Sequence, residues 1–416
     1  MAETRPLLRP FLQPRSIAIL ARGRVGVSAV LEKLVEAGYP GRVTVIDPEP
    51  SKIVPFGVQR VSLMAELQGA PDLLVLDCAP EDRLRLLLMA ERKGIPAVLD
   101  LSRPAATPPD ADTQEGFAVL FGRGAMRLIG PGSAGLADIS LGNPFALSMG
   151  FEMPPGGSVA LISQDRFVAR LVASRGAMGL ELGTIVDLGQ GQDVSPEQVL
   201  VDLARHGEVS VLLMALGDLA RPETFRLVAR ALAPTLPLAA CFPAPANAPG
   251  RDAAIQAFLA DCGVLRVADA HGLALAGRVL HRFPQGLSGS IALLGEEDAK
   301  DFAFVRLTAM GLPVVGSMVD AGAVLALLLP GPHGHDGADG LAAGLVDAMA
   351  LGRPVLAAGL GEGPAQARAM RRAAEAGALT FARLEDALLA LALLTERYRL
   401  RFGVSVIQDD DAPTAL

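Results

Sequence analysis

Short apolar runs alternate with helical patterns over the first third of the chain. Between these runs, Ser28–Ala37 and Arg83–Lys93 carry apolar residues at helical spacing and are closed by Gly38 and Gly94. Continuously apolar strands that alternate with helices are typical of a parallel sheet covered on both faces. The pattern over residues 15–145 therefore predicts a doubly wound α/β domain, with strands at RSIAIL, VTVIDP, DLLVLDCAP, PAVLDL and MRLIGP.

The same alternation recurs twice more, and Pro- and Gly-rich joins at Met153–Gly157 and His281–Ser290 separate the three series. The third series ends in a helix predicted over Leu384–Leu400. We therefore predict three domains, at residues 12–150, 155–283 and 288–405, and a disordered acidic tail at 406–416. The second series is SVALIS, GTIVDLG, VSVLLMAL, PLAACF and VLRVAD, and the third is SIALLG, LPVVGS, AVLALLLP, PVLAAGL and ALTF.

The net charge, the cysteine pattern and the lengths of the apolar runs limit the kinds of partner and compartment expected for this chain. The chain has 416 residues, a net charge of −8 and a pI near 5.3, which argues against nucleic acid or an anionic membrane as the main partner. The three cysteines, Cys78, Cys241 and Cys262, form no CxxC pair and indicate buried thiols in a reducing compartment. No secretory h-region and no apolar run of spanning length is present, so we expect a cytoplasmic protein.

One stretch, Gly156–Gly176, combines a strand, a small-residue turn and a helix. Such a turn presents backbone N–H groups and the positive end of the helix dipole at the carboxyl edge of the sheet, where α/β proteins usually hold phosphate. Here the turn carries Asp165 followed by Arg166. We expect the Asp165 carboxylate to cap the helix and to occupy the position that a phosphate would need.

The loop after the first strand, Arg22-Gly23-Arg24, is a second candidate anion site. Guanidinium groups suit phosphate oxygens, and ligands usually bind where a parallel strand ends. The loop has only a G-x-x-G spacing and lacks the third glycine of a dinucleotide fingerprint, so two solvated surface charges remain the alternative. Ala79-Pro80 after the third strand either lines the same crevice or forms a simple turn.

Several stretches, in this order, resemble the NDP-forming acyl-CoA synthetases, specifically their α-subunit-type (succinyl-CoA synthetase-like) portion. They cover nearly the whole chain and include PRSIAIL, VTVIDP, APDLLVLDCAP, MRLIGPGSAGL, GGSVALISQ, GTIVDLGQGQDVSPEQVLVDL and RPVLAAGLGEGPAQARAMRRAAEAGALTF. The resemblance implies a Rossmann-like CoA-binding domain followed by two flavodoxin-like domains. It also implies that the family's ATP-grasp domains, which this chain lacks, are supplied by another chain.

The departures from the family fall on its functional residues. The Asn-Pro-Lys after the second strand is Asp47-Pro48-Glu49, and the Gly-Pro-Asn-Cys segment is Gly130-Pro131-Gly132-Ser133. The Ser-Gln-Ser-Gly turn is Ser163-Gln164-Asp165-Arg166, and Leu216 stands where a glutamate is expected. The interval that should carry the phosphorylated histidine has no histidine, because none occurs between His206 and His271. Because these departures remove the family's catalytic positions, no catalytic residue is carried over to this chain.

For CoA or an acyl-CoA, the resemblance and the loop positions together give a set of candidate contacts. These are Arg22, Gly23, Arg24, Ser28, Pro48, Ala79, Pro80, Gly130, Ser163 and Gln164.

A metal site is the weaker interpretation of the histidines. His333, His335 and Asp336 lie close together in a Gly-rich tract, and two histidines with an aspartate could ligate zinc. No third or fourth ligand is evident, so a solvated loop is favoured and no metal is expected. His206, His271 and His281 stand alone near helix ends, where caps or surface residues are expected.

Two functions follow. The first hypothesis is a CoA- or acyl-CoA-binding homologue that lacks phosphohistidine-dependent ligase activity, a pseudoenzyme acting as a sensor or as a scaffold for an acyltransferase or other partner enzyme. The second is a working α-subunit that makes or breaks a thioester with a separate ATP-grasp β-type subunit. Either one predicts a homo- or hetero-oligomer.

Overall fold

A computed structural model describes residues 7–22, 26–47, 57–139, 145–148, 156–175, 179–205, 208–243, 249–329 and 344–403. The chain forms two compact units that divide between Gly277 and Arg278. Three sheets carry the described fold, two in the first unit and one in the second.

The first sheet is parallel throughout, with strand order β3-β2-β1-β4-β5-β6. This is the doubly wound order of dinucleotide-binding proteins, in which the direction of winding reverses between β1 and β4. Its strands are β1 (Ser16–Ala21), β2 (Arg42–Ile46), β3 (Gln59–Val61), β4 (Leu73–Asp77), β5 (Ala97–Asp100) and β6 (Arg127–Ile129). Its helices are α1 (Arg9–Leu12), α2 (Gly26–Glu36), α3 (Arg83–Lys93) and α4 (Ala111–Gly122), with short 3-10 turns at Met64–Glu66 and Pro80–Asp82.

The second sheet has strand order β13-β12-β11-β9-β10-β7-β8. Five parallel strands, β9 to β13, form a flavodoxin-like core, and β7 and β8 extend it in antiparallel fashion. The strands are β7 (Gly135–Asp138), β8 (Phe145–Ser148), β9 (Val159–Ser163), β10 (Leu182–Asp187), β11 (Val211–Ala215), β12 (Leu238–Cys241) and β13 (Leu265–Val267). The helices are α5 (Arg166–Ala173), α6 (Pro196–Arg205), α7 (Pro222–Leu232), α8 (Pro249–Asp261) and α9 (Ala270–Arg282).

The third sheet, in the second unit, is parallel with order β15-β14-β16-β17-β18, which is again flavodoxin-like. Its strands are β14 (Ile291–Leu294), β15 (Val314–Val315), β16 (Ala323–Leu328), β17 (Val355–Gly359) and β18 (Leu379–Phe381). Its helices are α10 (Glu297–Ala309), α11 (344–350), α12 (Pro364–Glu375) and α13 (Leu384–Phe402). The predicted fold class, one Rossmann-like and two flavodoxin-like sheets, is confirmed.

The apolar runs read from the sequence all became strands, and α3 begins and ends at the predicted residues. Gly94 caps α3 with φ +79°, a left-handed conformation that glycine adopts without steric cost. The sequence interpretation did not include β3, β7, β8, α1 or α4. Strands β7 and β8 lie within the range predicted for the first domain, residues 12–150, and pair with the second sheet. The three-domain division remains a proposal.

Two segments interlock the first two sheets. Residues 128–134 run beside residues 187–194, and backbone hydrogen bonds join Gly130 N to Leu188 O (3.1 Å), Gln190 N to Pro131 O (2.9 Å) and Val194 N to Leu128 O (3.2 Å). The Gly130–Pro131 peptide bond is cis. At Gly189, which has φ +57°, a Cβ would overlap the carbonyl oxygen of Pro131, so glycine is required there. We call this pair of segments the interlock.

Charged side chains reinforce the interlock. Arg127 donates from Nε to Oδ2 of Asp193 (2.9 Å) and from a terminal nitrogen to Oδ1 (3.2 Å), while the N–H of Leu128 donates to Oδ2 (2.8 Å). A second polar connection joins residues 7 and 8 to α6. The Asp202 carboxylate of α6 accepts the N–H groups of Leu7 (3.1 Å) and Leu8 (2.8 Å). The first unit therefore holds its two sheets by specific polar bonds as well as by packing.

We predict that Asp193→Ala lowers the free energy of unfolding of the first unit by about 2 kcal/mol, because a partly buried guanidinium and a backbone N–H lose their acceptor. The denaturation midpoint of the first urea transition measures this effect. Glu91→Ala is the matched control, because its partner Arg123 has a side chain that is 55% exposed, and it should cost under roughly 1 kcal/mol. Equal shifts in the two variants would show that the interlock adds nothing to stability.

Candidate functional site

The carboxyl edge of the first sheet holds several of the predicted contacts. Arg22 follows β1 directly, with its backbone N–H bonded to Asp77 O (2.7 Å), and its side chain is exposed. Ser28 is exposed in the first turn of α2, and Ala79 and Pro80 are exposed after β4. Because β1 and β4 are parallel neighbours, these four residues share one edge, at the crevice where the winding reverses.

A buried aspartate, Asp77, lies at this crevice. Asp77, the last residue of β4, is 1% exposed, and its Oδ2 accepts the N–H of Gly26 (3.3 Å), the first residue of α2. One donor of the helix N-terminus is therefore taken by the chain itself. Asp47 after β2 pairs with Arg60 (2.8 Å), so this edge also contains an internal ion pair.

A buried polar network supports the turn after β4. Ser102 Oγ accepts the N–H of Cys78 (2.9 Å), and the N–H of Ser102 donates to Asp100 Oδ1 (2.9 Å). Arg83 Nε lies 2.8 Å from Asp100 Oδ2, and both side chains are almost fully buried. Burial raises the pKa of Asp100, which the Arg83 charge opposes, and burial raises the pKa of the Cys78 thiol to about 11. Burial therefore favours the protonated thiol over the reactive thiolate at neutral pH.

The turn after β9, which was expected to differ from a phosphate-binding turn, lies at the carboxyl edge of the second sheet. Asp165 is the N-cap of α5, and its Oδ1 accepts the N–H groups of Phe167 (2.8 Å) and Val168 (3.2 Å), as predicted. Ser163 is fully buried, and its hydroxyl bonds the backbone of Asp165. The Gln164 Oε1 accepts the N–H of Gly217 (3.0 Å) and thereby ties the turn after β9 to the turn after β11. The side chains of this turn are therefore hydrogen-bonded to backbone groups of the same chain.

Leu216 and two of the histidines lie near or beyond this turn among the described residues. Leu216, at the position of the expected glutamate, is 2% exposed and belongs to the hydrophobic core. His271 lies at the start of α9 after β13, and three strand spacings separate β13 from β9, which is about 14 Å. His281 lies at the other end of α9.

A third acid, Asp187, ends β10 beside Ser163 in the sheet register. It is fully buried, and its Oδ2 accepts the N–H of Ala134 while its backbone carbonyl accepts the Ser133 hydroxyl. Burial raises its pKa to about 7, and the nearby N–H groups of Ala134 and Gly189 and the Arg166 charge lower it by less. Its Oδ1 is also buried.

The interlock connects the two carboxyl edges. The N–H of Gly132 donates to Ser102 O (2.8 Å) in the first sheet, and Ala134 donates to Asp187 in the second. Gly130 is buried between them against the carbonyl oxygen of Asp100, where a Cβ would not fit. The structure therefore gathers Arg22, Ser28, Ala79 and Pro80 at one edge and Ser163 and Gln164 at the other, with Gly130 between.

Some predicted residues lie outside the described ones: Gly23, Arg24, Pro48, His206, His333, His335, Asp336 and the tail at 406–416. Within the described ranges, no group of three or more His, Cys, Asp or Glu side chains is arranged to hold a metal ion. No helix in those ranges has the length and apolar character needed to span a bilayer.

Sequence reasoning missed the buried acids. Asp77, Asp100 and Asp187 each form the last residue of an apolar strand, and none is more than 1% exposed. The signal was present, since LLVLD, AVLD and LGTIVD all close on aspartate where a parallel strand meets the ligand edge. A carboxylate that repeatedly ends an apolar strand indicates a buried polar edge.

Taken together, the fold defines an α/β protein of three mostly parallel sheets, the first with the strand order of nucleotide-binding proteins. No family model matches the chain. The chain is 24% identical over 228 residues, 53% of its length and 32% of the relative's, to the 4-hydroxybutyrate–CoA ligase [ADP-forming] of Nitrosopumilus maritimus (strain SCM1). It therefore spans about a third of the length of the curated relative it matches.

Two solved structures share the fold. The dinucleotide-forming acetyl-coenzyme A synthetase 1 of Ca. Korarchaeum cryptofilum, in its apo form, matches with a TM-score of 0.78 at 17% identity, covering 95% of this chain and 98% of that one. The Pyrococcus horikoshii OT3 protein PH0766 matches with a TM-score of 0.74 at 16% identity, covering 95% and 100%. The resemblance read from the motifs is thus confirmed, and the chain is related to the NDP-forming acyl-CoA synthetases.

We predict that Asp187→Asn stabilises the protein increasingly as pH rises. The folded pKa of about 7 exceeds the ordinary 3.8, so the folded state holds this proton more tightly than the unfolded state. Wild-type stability therefore falls between about pH 4 and pH 7 and is level above that range, whereas the asparagine side chain of the variant does not titrate.

Urea denaturation of both proteins at pH 5 and pH 8 measures the difference. We expect the advantage of the variant to grow by roughly 2–3 kcal/mol over this interval, at about 1.4 kcal/mol per pKa unit. A difference between the two proteins that is the same at both pH values would contradict the raised pKa of Asp187.

Proposed function

We propose that this chain is a CoA- or acyl-CoA-binding homologue of the α-subunit of NDP-forming acyl-CoA synthetases, without phosphohistidine-dependent ligase activity. The observation that carries the proposal is the N-terminus of α5, whose first N–H groups are bonded by the Asp165 carboxylate. A phosphate brought to within ~4 Å of that carboxylate would be repelled by several kcal/mol in a partly buried site.

The other supports of phosphotransfer are missing as well. The sequence has no histidine between His206 and His271, and Leu216 is packed in the core where a carboxylate would orient the imidazole. A single loss could be covered by a neighbouring group. Three losses at one sheet edge favour a protein that binds and does not transfer phosphate.

CoA binding is supported at the first edge. Arg22 places a guanidinium at the crevice between β1 and β4, and Ser28 places a hydroxyl in the first turn of α2. These groups suit the phosphates of a nucleotide, and Ala79 and Pro80 offer a small apolar surface beside them. When bound, CoA would supply a thiol or thioester, and this chain would hold and orient it. The partner we propose is an acyltransferase or an ATP-grasp β-type chain.

The alternative is a working α-subunit that acts with a separate ATP-grasp chain. It is favoured by the preserved architecture, since the Ca. Korarchaeum cryptofilum synthetase in complex with phosphate and ADP matches 95% of this chain with a TM-score of 0.78. The two functions differ in whether this chain accepts a phosphoryl group.

We expect Arg22→Ala to weaken CoA binding about tenfold or more, because a guanidinium–phosphate contact is lost. Calorimetry with CoA measures it. Arg15→Ala is the matched control, since Arg15 precedes the same strand at the opposite edge and should leave CoA affinity unchanged. Equal affinity in wild type and in an Arg22→Ala/Arg24→Ala double variant would remove the arginines from the site, and no CoA binding by the wild type would refute the proposed function.

We also expect no acid-labile phosphate on this chain after incubation with γ-labelled ATP and an ATP-grasp partner. Acid treatment and gel analysis of each chain give the readout, and the histidine-bearing α-subunit of a ligase with the same partner is the positive control. Acid-labile label on this chain that disappears when any one of its histidines is replaced would establish the working α-subunit instead.

A further inference from the structure

Helix α10 of the second unit carries large apolar side chains on its solvent-facing side. Its inner side packs on the third sheet through Ala299, Ala303 and Leu307, which are all buried. On the outer side, Phe302 is 52% exposed and Val305 is 66% exposed. Large apolar side chains that lie together on an exposed surface mark an interaction site rather than an ordinary solvated helix face.

The exposed apolar residues form one stripe along the helix. Phe302, Val305 and Ala309 are spaced three and then four positions apart, as in the contact face of a paired helix, and all three are exposed. We call these three residues the α10 stripe. Arg306 stacks over the ring of Phe302, with its guanidinium carbon 4.6 Å from the ring centroid, which places a positive charge at one margin of the stripe.

A negative charge lies at the other margin. Asp301 and Arg306 are roughly 140° apart around the helix, at about 100° per residue, so the stripe runs between them. Both side chains are exposed, and neither forms a salt bridge with another described residue. The nearest ion pair on this helix joins Lys300 to Glu297 (2.6 Å) and leaves Asp301 and Arg306 available to a partner.

The two marginal charges determine which partner fits the stripe and in which direction. If a second copy of α10 packs on it in parallel, about a two-fold axis along the helices, Asp301 of each copy faces Arg306 of the other. In an antiparallel pair each margin meets its own counterpart, so aspartate faces aspartate and arginine faces arginine. The surface is therefore self-complementary in the parallel arrangement.

The small size of the stripe limits the strength of such a pair. A phenylalanine side chain contributes roughly 200 Å² when it is fully buried. Two stripes therefore cover on the order of several hundred Å² of apolar surface, less than the ~1,200 Å² of a stable interface. Asp298 extends the stripe at its N-terminal end, where a parallel pair brings two carboxylates together beside helix N-termini that favour negative charge. A weak, reversible association is expected.

We infer that this chain forms a reversible homodimer in which the α10 stripes of two copies pack in parallel and Asp301 pairs with Arg306 across the interface. The sequence predicted an oligomer without a surface for it, and this inference assigns one. It does not depend on the proposed CoA binding, because α10 belongs to the second unit and the proposed contacts belong to the first.

Sedimentation equilibrium of the full chain, from low micromolar to near-millimolar concentration, tests the dimer. The mass should rise from that of a monomer towards twice that value. Phe302→Ser should weaken dimerisation about tenfold or more, because the central apolar contact is lost. Phe304→Ser is the matched control, since Phe304 is 48% exposed on another side of the same helix and its removal should leave the dimer unchanged.

Charge reversal tests the pairing across the interface. Asp301→Arg and Arg306→Asp should each weaken the dimer, because like charges then face each other, and the variant that carries both substitutions should restore it. Circular dichroism checks that each variant is folded.

Engineered cysteines test the direction of the helices. Val305→Cys should cross-link two chains under mild oxidation, since residue 305 faces itself across a parallel two-fold axis, and Phe304→Cys should not. The three native cysteines are buried and do not interfere.

A monomer mass at every concentration would overturn the inference, and would leave the stripe to a different protein. A dimer that Phe302→Ser and both charge variants leave unchanged would place the interface elsewhere and overturn it as well. Failure of the double reversal to restore a dimer that each single reversal weakens would refute the parallel pairing.

Discussion

The backbone interlock between residues 128–134 and 187–194 is the constraint on which the first unit depends. Strand β6 of the first sheet leads directly into it, and strand β10 of the second sheet ends in it. Because hydrogen bonds between main-chain atoms fix both segments, the carboxyl edges of the two sheets are held at a set distance. Any ligand that spans the edges meets a preformed surface, and its binding loses less free energy to ordering the protein.

The two edges differ in their exposed charges. The first edge exposes Arg22 and buries Asp77, and the second exposes the Asp165 carboxylate that caps α5, with Arg166 next to it. Under the proposed function, this arrangement keeps a crevice for nucleotide phosphates at the first edge and makes the helix terminus at the other edge unfavourable to anions. The helix dipole of α5 is satisfied from within the chain. Under the proposed function, binding and phosphate transfer have been separated by substitutions that leave the scaffold unchanged.

The sequence was informative where structure follows from local pattern. Apolar runs of strand length, Gly94 at the end of α3 and Asp165 at the start of α5 were read from single stretches, and the structure agrees. It was uninformative where partners are distant in the chain. The antiparallel strands β7 and β8 are short, and the bonds of Asp187 to residues 133 and 134 span more than fifty positions. No periodicity encodes such contacts, because burial of an acid is decided by what folds over it.

Under the proposed function, Leu216 also bears on how readily this chain could acquire phosphotransfer chemistry. Its side chain packs with Met214 and Phe242 in the hydrophobic core of the first unit. Reintroducing a glutamate there would bury an unpaired charge before any histidine existed to bond it, at a cost of several kcal/mol. If the proposed function is right, no single substitution restores phosphotransfer, because a glutamate at position 216 is stabilised only when a histidine partner is also present. The packing of Leu216 would then make the change of function difficult to reverse stepwise.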